Sequence, residues 1–304
     1  DRSDLFENYL YQSGTSTTLS EYFEWLAQKV IGESDLKPDT PGIILDIACN
    51  DGSQLDHYKT KGWKTFGVDP ATNLASLAAL NHTVKNGFWP TEFTELPRGN
   101  DLTAITAQNV AAHVPDVVAF LKGCADVMGE STKLYIQTSQ CNMQQLGQFD
   151  TVYHEHISSF TGHSFVVVAE LTGLVINSFE TTPIHGESCL VTMQLDKSKN
   201  LQGGNKASST SASIGSYSSP SLRDRLIQEQ RDGITSDFFA MKFSTHANMI
   251  REWVTQELRQ FKAKGSIVGG YGAAAKGMVL LHFIIGDEDN GSSFLDFVLD
   301  DAML

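Results

Sequence analysis

Ile43-Ile44-Leu45-Asp46-Ile47-Ala48-Cys49-Asn50-Asp51-Gly52 is the stretch that decides the fold. Its first five residues are mostly apolar and β-branched, which fits a short strand buried in a sheet. Small residues and an Asn-Asp-Gly turn follow at once, so the strand ends in a tight connection. A helix is expected over residues 53–61, and then a second strand, Thr65-Phe66-Gly67-Val68-Asp69.

Outward from this core the same rhythm repeats. A helix is predicted over 71–80, a short strand near 83–87, a strand over Leu102–Ala107, a helix over 115–128 and a fifth strand over Lys133–Thr138. Upstream, SEYFEWLAQKVI (residues 20–31) reads as an amphipathic helix with Ser20 as its N-cap, and Pro38 and Pro41 bracket a loop. Strands alternating with helices predict an α/β fold, a Rossmann-like parallel sheet covered on both faces. Residues 139–161 interrupt the rhythm, and a helix over 163–172 restores it. Gly173–Glu180 and Ser188–Leu195 then read as two strands with no helix between them.

Residues 197–221 are Ser/Gly-rich and nearly free of large apolar side chains, the composition of a linker. A long helical region over 222–262, a strand over Ser266–Tyr271, a loop over Gly272–Gly277, a helix over Met278–Ile285 and a strand over Phe294–Leu299 follow. The chain stops after Asp300-Asp301 and three more residues. Two domains are expected: residues 1–195, and a smaller α/β domain over 196–304 that contributes to the substrate site.

The 304 residues carry a formal net charge of −14. That argues against nucleic-acid or anionic-membrane partners, which need a positive field. A small anion can still be held by one local cation or backbone nest. No apolar run approaches the roughly 20 residues of a membrane span, and no secretory signal is visible. The chain begins at Asp1, so it is read as either processed or a fragment. Cys49, Cys124, Cys141 and Cys189 are scattered, with neither zinc spacing nor a disulfide framework. A cytoplasmic setting and no metal are therefore expected.

Asp46, Ala48, Asn50, Asp51 and Gly52 leave the first strand, where small residues let a ligand approach the backbone. Asp69 lies 23 positions after Asp46, at the end of the next strand. In doubly wound folds that position meets the ribose hydroxyls of an adenosine cofactor; Pro70 follows it. A nicotinamide dinucleotide would want G-x-G-x-x-G around its pyrophosphate. This loop has Gly52 and carboxylates instead, which suits the cationic sulfonium and ammonium of S-adenosylmethionine. Asn109 follows the fourth strand and is placed to meet the cofactor. His113 either faces the same crevice or caps and packs against the helix over 115–128.

Tyr153-His154-Glu155-His156 places a phenol, two imidazoles and a carboxylate in four consecutive residues of the interrupting segment. Such density points to proton transfer on a loop carried by a rigid scaffold. Lys276, in Tyr271-Gly272-Ala273-Ala274-Ala275-Lys276-Gly277, either helps a helix N-terminus bind an anion or is simply solvated.

In this order, Asp46–Gly52, Gly67-Val68-Asp69-Pro70-Ala71, Asn109-Val110 with His113, Phe149-Asp150-Thr151 before Tyr153–His156, His185-Gly186 and Tyr271–Gly277 resemble the nucleotide-sugar C-methyltransferase family. The resemblance runs from Tyr9 to Asp300. It implies a class I methyltransferase sheet, S-adenosylmethionine as cofactor and methylation of a carbon beside a keto group of a nucleotide-linked deoxysugar. It also implies His156 as the base, with His154 the other candidate. Glu155 then orients an imidazole, Tyr153 donates to the oxyanion and Tyr11 closes over the active site. His185, Tyr271 and Lys276 are placed at the substrate. Two features depart from the family pattern: Glu187 stands where a Gly is usual, and Leu190 where an Arg is usual. No cysteine-rich zinc module precedes Asp1. The alternatives are another small-molecule methyltransferase, at oxygen or a non-sugar carbon, and an inactive protein that binds S-adenosylmethionine. The oligomeric state and the exact acceptor stay open.

Overall fold

The computed structural model describes residues 6–138, 142–197, 217–234, 236–272, 275–285 and 294–299. The linker expected over 197–221 falls mostly outside them, at 198–216, as do residues 139–141, Ala273, Ala274, Asp300 and Asp301. Contacts divide the chain into two units. One takes Asp1–Cys141 and Ser158–Ile227, the other Asn142–Ile157 and Gln228–Leu304.

The first unit opens with helix α1 (Thr17–Glu33), whose Leu19, Tyr22, Phe23, Leu26, Ala27 and Val30 form one buried stripe at helical spacing. Its N-cap is Ser16, which accepts from the Leu19 N–H, and not Ser20. The cap sits four residues earlier because Ser16 is still extended while Thr17 is already helical. Then come β1 (Ile43–Ile47), α2 (Ser53–Lys59), β2 (Lys64–Asp69), α3 (Thr72–Ala78), β3 (Thr83–Asn86), β4 (Ala104–Gln108), α4 (Val117–Val127) and β5 (Lys133–Thr138). After residue 158 follow α5 (Gly162–Thr172), β6 (Leu174–Thr182) and β7 (Ser188–Leu195). Helix α6 (Pro220–Asp232) spans the division between the units.

The seven strands run in the order β3-β2-β1-β4-β5-β7-β6. β7 is antiparallel to both β5 and β6, and the pairs among β1–β5 are parallel. This is the doubly wound sheet with a terminal hairpin that the sequence predicts. Alternation along the strands separates two cores. Leu45, Ile47, Ile105 and Ile136 pack on the side of α4 and α5. Ile44, Ala104 and Tyr135 pack on the side of α1 and α2. Each fully buried Leu, such as Leu26 or Leu45, contributes about 1.5–3 kcal/mol. Strand order reverses between β1 and β4, which opens a crevice at their carboxyl ends.

In the second unit, residues 142–157 hold one helical turn (Met143–Leu146) and a tighter turn (Phe149–Thr151). Beyond α6 lie α7 (Asp237–Ala263), β8 (Gly269–Tyr271), α8 (Ala275–Ile285) and β9 (Phe297–Leu299), with β8 and β9 parallel. The single helical region expected over 222–262 is two helices. Gly233 adopts φ +65°, and Ser236 starts α7 by accepting from the Phe239 N–H. The loop expected over 272–277 is already helical from Ala275. The Phe149 ring lies 4.6 Å from that of Phe283, which fastens the tight turn to α8. Among the described residues no helix is long and apolar enough to cross a membrane.

Candidate functional site

β1, β2 and β4 end at the same edge, so the residues after them share the crevice. Asp46 is buried, and its Oδ1 accepts from Thr106 Oγ1 at 2.7 Å and Gln54 Nε2 at 3.3 Å. Burial raises its pKa to about 7; the Thr106 bond opposes this and the Asp69 charge adds to it. Both partners lie within the fold, so Asp46 braces the crevice from below.

Above it the chain turns through left-handed Ala48 (φ 62°), Asn50 (φ 54°) and Gly52 (φ 84°). Asp69 holds this turn. Its Oδ2 accepts from the Asn50 N–H at 2.8 Å, and its Oδ1 from the Ala71 N–H at 2.8 Å. Burial raises the Asp69 pKa; those two backbone bonds lower it and Asp51 raises it. A carboxylate offers about four acceptor sites, so two bonds leave capacity for a ligand hydroxyl. Pro70 is half-buried beside it, its carbonyl accepting from Asn86 Nδ2.

The N-terminal segment crosses this edge. Asn50 Nδ2 donates to the Tyr11 carbonyl (3.0 Å), and Asn50 Oδ1 accepts from the Ser13 N–H (3.0 Å). Asp51 Oδ2 accepts from the Gly14 N–H (3.0 Å). Tyr9 and Asn73 exchange two bonds. Phe6 meets the His113 ring edge-on at 5.9 Å. The Tyr11 backbone is thereby tethered to the Asn50 turn while its side chain keeps solvent contact. Burial raises its pKa, a bond with Ser16 lowers it and Asp51 raises it.

Asn109 follows β4 with φ 53°; its N–H is shared between the Gln137 carbonyl and Gln137 Oε1, each at 3.0 Å. The β6–β7 turn holds His185, Gly186 and Glu187 at φ 52°, 76° and 73°. Glu187 is thus left-handed where the family pattern has Gly, a conformation that costs a non-Gly residue about 1–2 kcal/mol. Leu190 is fully buried in the core beside α1 and α2.

The tetrad belongs to the second unit. His156 Nδ1 lies 2.7 Å from the Thr151 carbonyl oxygen, and Nε2 lies 3.0 Å from the Tyr153 hydroxyl. A carbonyl only accepts, so Nδ1 carries the proton, and in the neutral ring Nε2 accepts from the Tyr153 O–H. Burial lowers the His156 pKa, which favours the neutral ring. The Thr151 bond raises it, the Lys276 charge lowers it and Glu155 raises it. Burial followed by the Glu155 charge pushes the Tyr153 phenol up to about 12. The two rings lie 4.1 Å apart. His154 is exposed, with Nε2 3.9 Å from Glu155 Oε1. Lys276 lies in the first turn of α8, and exposed Tyr271 ends β8. His185 belongs to the first unit, and Tyr271 and Lys276 to the second.

The crevice fits S-adenosylmethionine by its donor set. Asp46 in β1, Asp51 in the left-handed turn after it and Asp69 at the end of β2 supply carboxylates, an environment for a cation rather than a pyrophosphate. Sequence reasoning missed Thr106, Gln137 and the Thr151 carbonyl, each of which fixes a residue that it did find.

Residues 6–178 match the family model described as a methyltransferase domain, more than half of the chain. The chain belongs to that methyltransferase family. Residues 200–304 match a second model, the C-methyltransferase C-terminal domain. Membership and the acidic crevice together support S-adenosylmethionine as the methyl donor. The C-methyltransferase NovU of Streptomyces niveus is 25% identical over 282 residues, covering 91% of this chain and 63% of the relative. The ubiquinone biosynthesis O-methyltransferase of Xanthomonas axonopodis pv. citri is 25% identical over 101 residues, covering 31% of this chain and 42% of the relative. The chain thus spans less than two thirds of either relative. Among solved structures, the PH0226 protein of Pyrococcus horikoshii is similar with TM-score 0.48 and 13% identity, covering 61% of this chain and 94% of that one. A SAM-dependent methyltransferase from Archaeoglobus fulgidus gives TM-score 0.46 and 14% identity, covering 58% and 94%.

Proposed function

We propose that the protein is an S-adenosylmethionine-dependent C-methyltransferase that acts on a carbon beside a keto group, with His156 as the base. The observation that carries this reading is the His156 ring, held neutral with Nδ1–H on the Thr151 carbonyl and Nε2 turned to a phenol. The match to a C-methyltransferase C-terminal domain and the likeness to NovU support transfer to carbon.

When bound, S-adenosylmethionine supplies an electrophilic methyl group. The residues do the rest. His156 Nε2 takes the α-proton, the C–H electron pair forms the enolate C=C bond, and the carbonyl π pair moves onto the oxygen. As Nε2 gains its proton, the Tyr153 hydroxyl is released to donate to the enolate oxygen. Glu155 stabilises the imidazolium by its charge, and His154 serves as its exposed neighbour. Asp46, Ala48, Asn50, Asp51, Gly52, Asp69, Pro70 and Asn109 hold the methyl donor, and Tyr11 covers it. We assign residues 1–195 to the cofactor-binding domain and 196–304 to substrate binding.

A nucleotide-linked keto-deoxysugar is the acceptor we propose. Lys276 at the start of α8 meets its diphosphate, with Tyr271 and His185 at the sugar nucleotide. The buried Cys49 and Cys124 thiols suit a reducing cytoplasm. Leu190 favours a second reading. An apolar core residue replaces the family's Arg, which suits a less anionic acceptor methylated at oxygen or carbon.

His156→Ala is expected to lower kcat by about 10²–10⁴-fold, the usual worth of a general base, with unchanged S-adenosylmethionine affinity in calorimetry. Full turnover in that variant would remove His156 from the chemistry.

A further inference from the structure

His82 takes no part in the chemistry above, yet its imidazole is pressed against the cofactor turn. Its side chain is 1% exposed, and Nδ1 lies 2.8 Å from Thr65 Oγ1 on β2. Nε2 lies 3.2 Å from Asp56 Oδ1, one turn into α2. The ring also lies against the Gly52 backbone. A Cβ added to Gly52 would come within 2.8 Å of His82 Cδ2. Two different elements and the left-handed corner of the turn therefore converge on one ring.

The hydrogen-bond roles follow from the partners. A carboxylate only accepts, so Nε2, which faces Asp56, carries the proton. Nδ1 is then the acceptor and the Thr65 hydroxyl donates to it. The neutral ring thus completes an uninterrupted chain from β2 to the first turn of α2. Asp56 and Lys59, both on α2, are the charged groups that act on it.

We infer that His82 is a positioning residue for the methyl donor: it locks the Asn50-Asp51-Gly52 turn by bridging Thr65 to Asp56 and packing against Gly52. This rests on the reading of that turn as the cofactor loop. The ring fills the space a Gly52 side chain would need, which ties the glycine and the histidine into one unit. A supporting shell of this kind sets how well a binding loop is preorganised.

The test compares His82→Ala, His82→Gln and a distant core truncation, Val127→Ala. Each is read by S-adenosylmethionine calorimetry, thermal melting and amide exchange of residues 50–53 without ligand. His82→Ala should raise Kd about tenfold, the worth of one hydrogen bond, and speed exchange at 50–53. Gln keeps an N–H for Asp56 and a side chain against Gly52, and should recover most of the affinity. Val127→Ala should melt earlier with Kd and local exchange unchanged. The inference is overturned if His82→Ala leaves both Kd and exchange at wild-type values, or if Val127→Ala changes them equally. Should the wild type bind no S-adenosylmethionine while His82→Ala still speeds exchange at 50–53, the cofactor reading fails and the bracing role of His82 stands.

Discussion

The crevice at the ends of β1, β2 and β4 and the tetrad at Tyr153–His156 use polar side chains in opposite ways. Crevice carboxylates are spent on the protein itself. Asp46 bonds Thr106 and Gln54, and Asp69 bonds the Asn50 and Ala71 N–H groups. Two of these four bonds join residues 60 and 19 positions apart, tying separate elements into the shape of a receptacle. The tetrad bonds are local: His156 reaches back five residues to Thr151 and three to Tyr153. The Nδ1 bond holds the ring to the backbone, and the Nε2 bond is to a group that can let go. On the proposed function, one region holds and the other exchanges a proton.

Removing a holding group should therefore damage affinity, and the largest effect within the crevice belongs to Asp69. Asp69→Ala strips two backbone N–H groups of a charged acceptor, each bond worth about 1.5–3 kcal/mol. S-adenosylmethionine Kd should rise about 10- to 100-fold by calorimetry, with the tetrad turn of residues 149–156 unaltered in amide exchange. An unchanged Kd would break the contrast between the two regions.

Asp46 sharpens it through pH. Its folded pKa of about 7 stands above the unfolded value of about 3.9. Its contribution is then fully present below about pH 4 and lost as pH rises through 7. Asp46→Asn removes this loss, so the melting-temperature gap between variant and wild type should widen in the variant's favour from pH 5 to pH 8. Parallel curves would contradict the buried-carboxyl account.

The smallest expected effect is on the tetrad's titration. The Lys276 charge lowers the His156 pKa, so Lys276→Met should move the acid limb of kcat/KM to higher pH. A limb that stays in place would detach Lys276 from the base.

The sheet was legible because its strands are short apolar runs that end in turn residues, and such runs also mark where a crevice edge falls. Asp46, Asp69 and Asn109 could be placed from that alone. The tetrad stood out by composition. What holds these residues was not legible. The Thr151 carbonyl is backbone, which any residue supplies. Gln137 meets Asn109 across 28 positions, and His82 meets Gly52 across the fold. Left-handed Ala48 and Glu187 run against local preference and could be known only once their surroundings were built. The misplaced cap at Ser20 has a plainer cause: two serines lie four residues apart near the start of the apolar stripe, and only Ser16 precedes the first helical turn.

The most direct test of the central claim is proton exchange without methyl transfer. The enzyme is given S-adenosylhomocysteine and a nucleotide-linked keto-deoxysugar in D₂O, and deuterium entry at the carbon beside the keto group is followed by NMR. Wild type should exchange that proton, Tyr153→Phe should exchange it more slowly, and His156→Ala should not exceed the uncatalysed rate. Wild-type exchange at full rate in His156→Ala would contradict the account.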